Sequence, residues 1–258
     1  MHCMSLSPRI FRWCTTHLFV AACCMYAGAT HAQESSYVSD TWRFQVTPYV
    51  WMTGLQGDIR PTSNLPTAHV SQSFSDVLSD LDAAAFLNGT ARKGRYVMQV
   101  DTSYAALSDS ASLPVGLSAR AKVKQRSLTL LGGYNWQLSP RDSLDAMAGA
   151  RWWNIRATVQ VQPVLQVQTQ ESFVDPIIAI RWHHQLNPSW STLVYADVGG
   201  LGVGSEFTWQ VLAVANYQIR DNIYLSAGYR QLNVDYRNGG RRLNFGMGGP
   251  VLGATFRF

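Results

Sequence analysis

The chain has 258 residues and a net charge of +5, with few charged residues (14%) and many aromatic ones (12%). That length suits one barrel or sandwich domain, and so mild a charge excludes a nucleic-acid partner held on a basic face. Beyond the N-terminal segment no stretch approaches the roughly 18–20 apolar residues that a membrane-crossing helix needs, so any crossing is made by strands.

Residues 1–32 read as a secretory signal: Arg9 and Arg12 form a basic start, Leu18 to Gly28 an apolar centre, and Thr30-His31-Ala32 a cleavage site before Gln33. Val20-Ala21-Ala22-Cys23 also resembles a lipoprotein box, behind a short apolar run interrupted by His17. All four cysteines (Cys3, Cys14, Cys23, Cys24) lie in this segment, so residues 33–258 carry no thiol, disulfide or cysteine-ligated metal.

From Trp42 onward the dominant period is two. Leu128, Leu130, Tyr134 and Trp136 alternate with Ser127, Thr129, Gly133 and Asn135, and Val174, Ile178, Ile180 and Trp182 with Asp175, Ala179, Arg181 and His183. Phe207, Trp209, Val211, Ala213, Ala215 and Tyr217 follow the same rule. This is the signature of strands with one apolar and one polar face. Ten strands are predicted near 42–58, 83–92, 95–106, 119–138, 143–161, 165–186, 189–199, 205–219, 222–237 and 241–258. Short polar connections alternate with mostly longer ones (59–82, 107–118, 162–164, 200–204, 238–240). The expected fold is therefore all-β: a single antiparallel transmembrane β-barrel over 33–258, with short periplasmic turns and longer extracellular loops.

Aromatics at the ends of apolar stripes (Tyr96, Tyr104, Trp136, Trp152, Trp182, Trp190, Phe207, Tyr217, Phe258) suit interfacial girdles. A soluble β-sandwich is the competing fold. A lipocalin-like cup is another, and would leave Asp145, Asp175, Arg181 and Arg230 on the outside.

The ending Gly253-Ala254-Thr255-Phe256-Arg257-Phe258 resembles the assembly signal of outer-membrane proteins, with Gly253, Phe256 and Phe258 as the positions read by the barrel assembly machinery. Val251 replaces the usual polar residue. Further blocks are Trp42-x-Phe44-x-Val46-Thr47-Pro48-Tyr49-x-Trp51-x-x-Gly54-Leu55-x-Gly57-Asp58, Phe74-Ser75-Asp76-x-Leu78-x-x-Leu81-Asp82, Asp175-Pro176, Asp197-Val198-Gly199-Gly200-x-Gly202-Val203-Gly204-Ser205 and Gly228-Tyr229-Arg230. As a set they resemble a group of uncharacterised proteobacterial outer-membrane β-barrel proteins. The resemblance implies the fold and brings no activity with it.

Gly199-Gly200-x-Gly202-x-Gly204 is followed by strand alternation rather than by the helix a nucleotide loop needs, so it reads as a tight turn and no cofactor is expected. His69-Val70-Ser71 in the first outer loop is the one pair suited to nucleophilic chemistry, which keeps a lipid hydrolase or acyltransferase open as an alternative. Phe74, Val77, Leu78 and Leu81 recur at helical spacing, predicting a short loop helix near 75–81 with Ser75 as N-cap. Asp76, Asp80 and Asp82 lack the clustered spacing of calcium loops, and no metal site is expected.

The inward phase carries Asp101, Asp145, Arg151, Asp175, Arg181, Asp197, Glu206, Arg230 and Arg257, which should neutralise one another in a narrow lumen. Asp145 with Arg181 and Arg151 with Asp175 fit one register. Asn238-Gly239 is expected to form the last hairpin turn, placing Arg230 beside Met247 and within reach of Asp197 or Glu206. Arg120, Lys122, Lys124 and Arg126 share the lipid-facing phase of Leu128 and Leu130 and suit the phosphates of lipopolysaccharide. The functional expectation is a non-enzymatic outer-membrane barrel, structural or a narrow solute conduit, with a surface-binding protein as a further alternative.

Overall fold

The computed structural model describes residues 40–60, 68–112, 118–162 and 165–258. The signal-segment reading and its cysteines lie outside them.

Twelve strand segments follow in chain order: β1 (Arg43–Trp51), β2 (Gly54–Arg60), β3 (Ala68–Gln72), β4 (Leu81–Lys93), β5 (Tyr96–Ser112), β6 (Ser118–Gln137), β7 (Asp142–Gln162), β8 (Leu165–Gln185), β9 (Trp190–Gly200), β10 (Phe207–Arg220), β11 (Ile223–Asn238) and β12 (Arg241–Arg257). They form one antiparallel sheet that closes where β1 pairs β12. β1 and β2 are one wall strand. They pair successive stretches of β12 in an unchanged register, Trp51 opposite Val251 and Gly54 opposite Gly248, with Met52-Thr53 between. A side chain at Gly249 would lie 1.9 Å from the Met52 carbonyl, so this close passage requires glycine. Counted this way the barrel has ten strands, the number that the alternation predicts. β3 is an addition inside the expected 59–82 loop, paired only to β2.

Side chains alternate strictly. On β8, Glu171, Phe173, Asp175, Ile177, Ala179 and Arg181 are buried, while Val174, Ile178, Ile180 and Trp182 are exposed. The barrel is apolar on its outside: Val46, Val50, Leu130, Val174, Ile178, Ile180, Val211, Leu225 and Leu252 expose 38–61% of their surface. An exterior of this kind is untenable in water and is the wall that hydrocarbon demands. Exposed Tyr96, Trp136, Trp182, Trp190, Tyr217 and Phe258 ring the end that carries the short turns and the end of β12. Trp182 keeps a polar contact there, donating its Nε1–H to Asp142 at 3.2 Å. The opposite, outer end carries the link from β2 to β4, with β3 and the loop helix in it, and the turn 201–206, but also the two-residue turn Gly239-Gly240. β6, β7 and β8 run 20 or 21 residues, about twice what a tilted crossing needs, and so project beyond it.

Two local expectations are corrected. The loop helix, α1 (Phe74–Ser79), is capped by Ser73 rather than Ser75: Ser73 is extended, its hydroxyl accepts from the Asp76 amide, and the Asp76 carboxylate accepts from the Ser73 amide. α1 packs on β2 and β3 with no buried residue, which makes it a rim element. The last hairpin turns at Gly239-Gly240, not Asn238-Gly239. Both glycines have positive φ (55° and 81°), leaving Asn238 paired to Arg241 within the ladder. The shift places Arg230 opposite Gly249 and gives Met247 to Leu232.

Positive φ costs an L-residue about 1–2 kcal/mol. Gly240→Val is therefore expected to lower the urea midpoint of the folded barrel measurably, and Asn238→Ala to leave it nearly unchanged. The reverse order would restore the Asn-Gly turn.

Candidate functional site

The lumen is crossed by three tiers of polar and aromatic contacts, each reaching between strands far apart in the sheet order. In the tier nearest the short turns, Asp145 of β7 accepts from Arg181 Nε at 2.8 Å and from both terminal nitrogens of Arg92 (2.9 and 2.6 Å). Asn135 donates to the same carboxylate at 2.7 Å. Arg181 then donates through Nη1 to Gln99 (2.8 Å) and Thr90 (3.2 Å). In the middle tier, Arg230 of β11 donates to the Tyr49 hydroxyl (2.5 Å), to Gln210 (2.6 and 3.1 Å) and to Asp101 on β5 (3.3 Å), and lies 4.6 Å above the Trp51 ring. Beside it Arg151 grips Asp197 with two nitrogens (3.2 and 2.5 Å) and Thr129 with a third (2.9 Å), and the Tyr195 hydroxyl completes Asp197 at 2.7 Å.

The outer tier is aromatic. Trp153 of β7 meets Phe245 of β12 edge-on at 6.4 Å, from strands on opposite sides of the ten-stranded cylinder. Phe173 stacks on Tyr236 at 4.2 Å. These rings, with Trp51, Leu232, Val234, Met247 and Val251, form one buried cluster. Glu171 sits above it, bonded to the Tyr236 hydroxyl (3.1 Å) and to Arg241.

Asp101, Asp145, Arg151, Arg181, Asp197 and Arg230 thus enter lumen ion pairs. Three details differ from the expectation. Arg151 stands opposite Asp175 in register but pairs with Asp197. Asp175 is already engaged, fully buried, by the Trp153 ring N–H (3.2 Å) and the Ser205 amide (2.6 Å). That amide comes from the glycine-rich turn 201–206, where Gly200, Leu201 and Gly202 have positive φ, so the glycines fold a turn onto a carboxylate instead of cradling a nucleotide. Arg230 does not bond Asp197, which Arg151 and Tyr195 occupy, and takes Asp101. Glu206 is exposed outside the lumen, bonded through its amide to the Asp235 carbonyl. Glu171 and Arg92 were missed, although Glu171 shares the odd-numbered inward phase of Asp175 and Arg181.

Outside, Arg120, Lys122, Lys124 and Arg126 are exposed along β6, about 7 Å apart at ~3.3 Å per residue. Arg126 lies 5.5 Å over the Tyr104 ring, and Arg156 stands directly opposite Lys124, so it joins the row. Arg242 is on β12, across the barrel.

His69 pairs with Asp58 on the neighbouring strand (3.0 Å), both solvent-exposed. Ser71 lies two positions along the same strand, about 7 Å away by strand geometry and beyond hydrogen-bond reach of the imidazole. The Asp76 carboxyl is held below the usual carboxylate range by the Ser73 hydroxyl and amide, and Asp82 receives the Ser108 hydroxyl; both serve local structure.

No protein-family model matches the chain, and no curated protein matches it. Among solved structures, the outer membrane protease OmpT from Escherichia coli aligns with a TM-score of 0.57 at 11% identity, covering 87% of this chain and 100% of that one. The translocator domain of autotransporter NalP from Neisseria meningitidis gives 0.47 at 12% identity, over 87% and 91% of the two chains. Neisserial surface protein A gives 0.36 at 12%, over 84% and 97%. At such identities the first likeness speaks for the fold and the other two carry no argument. With the closed sheet and the girdled apolar exterior, the protein is a bacterial outer-membrane β-barrel.

A double-mutant cycle tests the pairing. Arg151→Gln and Asp197→Asn should show a coupling energy on the order of 0.5–3 kcal/mol. Arg151→Gln with Asp175→Asn should couple much less. Stronger coupling to Asp175 would reinstate the register pair.

Proposed function

We propose that the protein is a closed, non-enzymatic structural barrel of the outer membrane that holds lipopolysaccharide along the basic edge of β6 and β7. The observation that carries this reading is the aromatic tier. Trp153, Phe245, Phe173 and Tyr236 meet across the outer half of the lumen, where a conduit would need a polar path. Of the two expected roles, structural element and narrow conduit, this favours the first. The outward-facing His69–Asp58 pair, with Ser71 about 7 Å along the strand from His69, favours the non-enzymatic role over a hydrolase or acyltransferase.

Lys122, Lys124, Arg126 and Arg156 form a two-strand cationic patch just beyond lipid-facing Leu130 and Trp152. Bare cations facing mid-bilayer hydrocarbon would cost about 2–4 kcal/mol each, whereas at the outer interface phosphates offer charge-assisted hydrogen bonds. At the other end Phe256 and Phe258 expose their rings where the barrel assembly machinery would read them, and Gly253 packs against Tyr49. These features keep the chain with the proteobacterial outer-membrane proteins whose motif blocks it resembles.

In planar bilayers the protein should give no unitary conductance steps, and Trp153→Ala with Phe245→Ala should make it leak; steady steps from the unaltered protein would reject the closed barrel. Replacing Lys122, Lys124 and Arg126 by Gln should cut co-purifying lipopolysaccharide several-fold and lower the thermal stabilisation that added lipid confers. Unchanged lipid retention would remove that partner.

A further inference from the structure

Below the aromatic tier the lumen is not filled. A cavity of about 530 Å³ opens between the short turns, with Gln137, Pro140, Pro188 and Phe258 at its mouth. It ends at Tyr49, Arg151, Arg230 and Val251, and none of the sealing rings Trp51, Trp153, Phe173 or Phe245 lines it. Among the described residues it is therefore a blind vestibule whose mouth faces the periplasm, and its size suits a small organic solute.

Its charge is one-sided. Seven arginines line it against one acidic side chain, Asp101. Two more carboxylates touch those arginines from the wall: Asp197 serves Arg151 alone, and Asp145 is divided between Arg92 and Arg181. One carboxylate shared by two guanidinium groups leaves a positive charge in the tier. Arg43, Arg141 and Arg257 line it lower down, toward the mouth, and Arg257 donates to the Tyr224 hydroxyl.

Arg181 is 7% exposed, with its Nε on Asp145 and its Nη1 on Gln99 and Thr90, and it lines the cavity beside Arg92. The tier offers further polar groups at that depth, Asn88, Thr90 and Gln99. Low-dielectric walls concentrate the positive field along the axis, and guanidinium forks match the paired oxygens of phosphate and carboxylate groups.

We propose that the vestibule is a binding site for a small phosphate- or carboxylate-bearing solute drawn from the periplasm, with Arg92 and Arg181 sharing one carboxylate partway along it and Arg43, Arg141 and Arg257 around its entrance. The solute enters and leaves by the same mouth, so the site captures and does not translocate. It uses none of the cations on the outer wall and stands apart from the lipopolysaccharide reading.

The test is calorimetric titration of the folded, detergent-solubilised barrel with pyrophosphate, citrate and sucrose. Saturable one-to-one binding is expected for at least one of the two anions and none for sucrose, with affinity falling at high salt. Arg43→Gln with Arg141→Gln leaves the three cross-lumen braces in place and should weaken binding by about tenfold or more, on the order of 1.4 kcal/mol. Folding of each variant is checked by its heat-induced shift in gel mobility. Binding of pyrophosphate alone assigns the phosphate class, and citrate alone the carboxylate class. Absence of saturable binding by either anion, equal binding of sucrose, or loss of binding in the Lys122, Lys124, Arg126 triple variant but not in the Arg43, Arg141 variant would overturn the proposal.

Discussion

In hydrocarbon an unbonded backbone N–H or C=O has no water to turn to, and each one costs several kcal/mol. A ten-stranded sheet left open would present two edges of such groups. Here β1 meets β12, and at the base of the seam Phe44 and Phe258 exchange N–H···O=C bonds at 3.1 and 2.9 Å. Closure at this strand number fixes a narrow lumen in which inward side chains meet from opposite walls. It also turns a simple period of two into two unlike surfaces, lipid-facing and lumen-facing. Everything else in the protein is a response to that geometry: the apolar exterior, the paired charges inside and the aromatic contact between Trp153 and Phe245.

The lumen pairs follow from reach as much as from register. Arg181 meets its directly opposed neighbour Asp145, whereas Arg230 reaches Asp101 and Arg92 reaches Asp145 across the curvature. A short carboxylate stays near its own strand and takes what is local, as Asp175 takes the Trp153 N–H and the Ser205 amide. Such buried pairs are weak evidence for net stability, since their desolvation offsets much of the attraction, yet losing one partner is expensive. Their clearer consequence is register. A slip of one residue would turn each buried charge toward lipid, so the network excludes neighbouring registers more strongly than it stabilises its own.

Much of this was legible in the sequence because alternation reports directly on which face a residue occupies. The ten wall strands, the inward phase of Asp101, Asp145, Arg181, Asp197 and Arg230, and the outward phase of Lys122 to Arg126 all follow from counting by two. What counting cannot supply is which inward residues touch across the barrel, because that depends on strand order, stagger and side-chain length. Hence Arg151 was matched to its register neighbour, and Glu171 was passed over although it shares the inward phase. The hairpin at Gly239-Gly240 shows another limit: Asn-Gly and Gly-Gly both suit the turn, and pairing along all of β11 and β12 decides between them. β3 escaped notice because five residues inside a long loop give little period to read, and Ser73 because Ser75 lies just as near the helical spacing.

The position of the aromatic tier has its own logic. Bilayer support ends near Trp152, but β6, β7 and β8 continue outward for roughly half their length again or more. Beyond the hydrocarbon, the outward faces of β7 and β8 turn polar, with Asn154, Arg156, Thr158, Gln168 and Gln170, and offer the strands no apolar burial. The inward face supplies it instead: Trp153, Ile155 and Phe173 pack against Leu232, Val234, Phe245 and Met247 from β11 and β12. At about 25 cal/mol per Å² of apolar surface removed from water, large rings are an efficient way to hold projecting strands together. The seal and the stiffening of the outer wall are then one structural solution. The lower half, already supported by lipid on its outside, has less need of an apolar filling and can keep water and charge within.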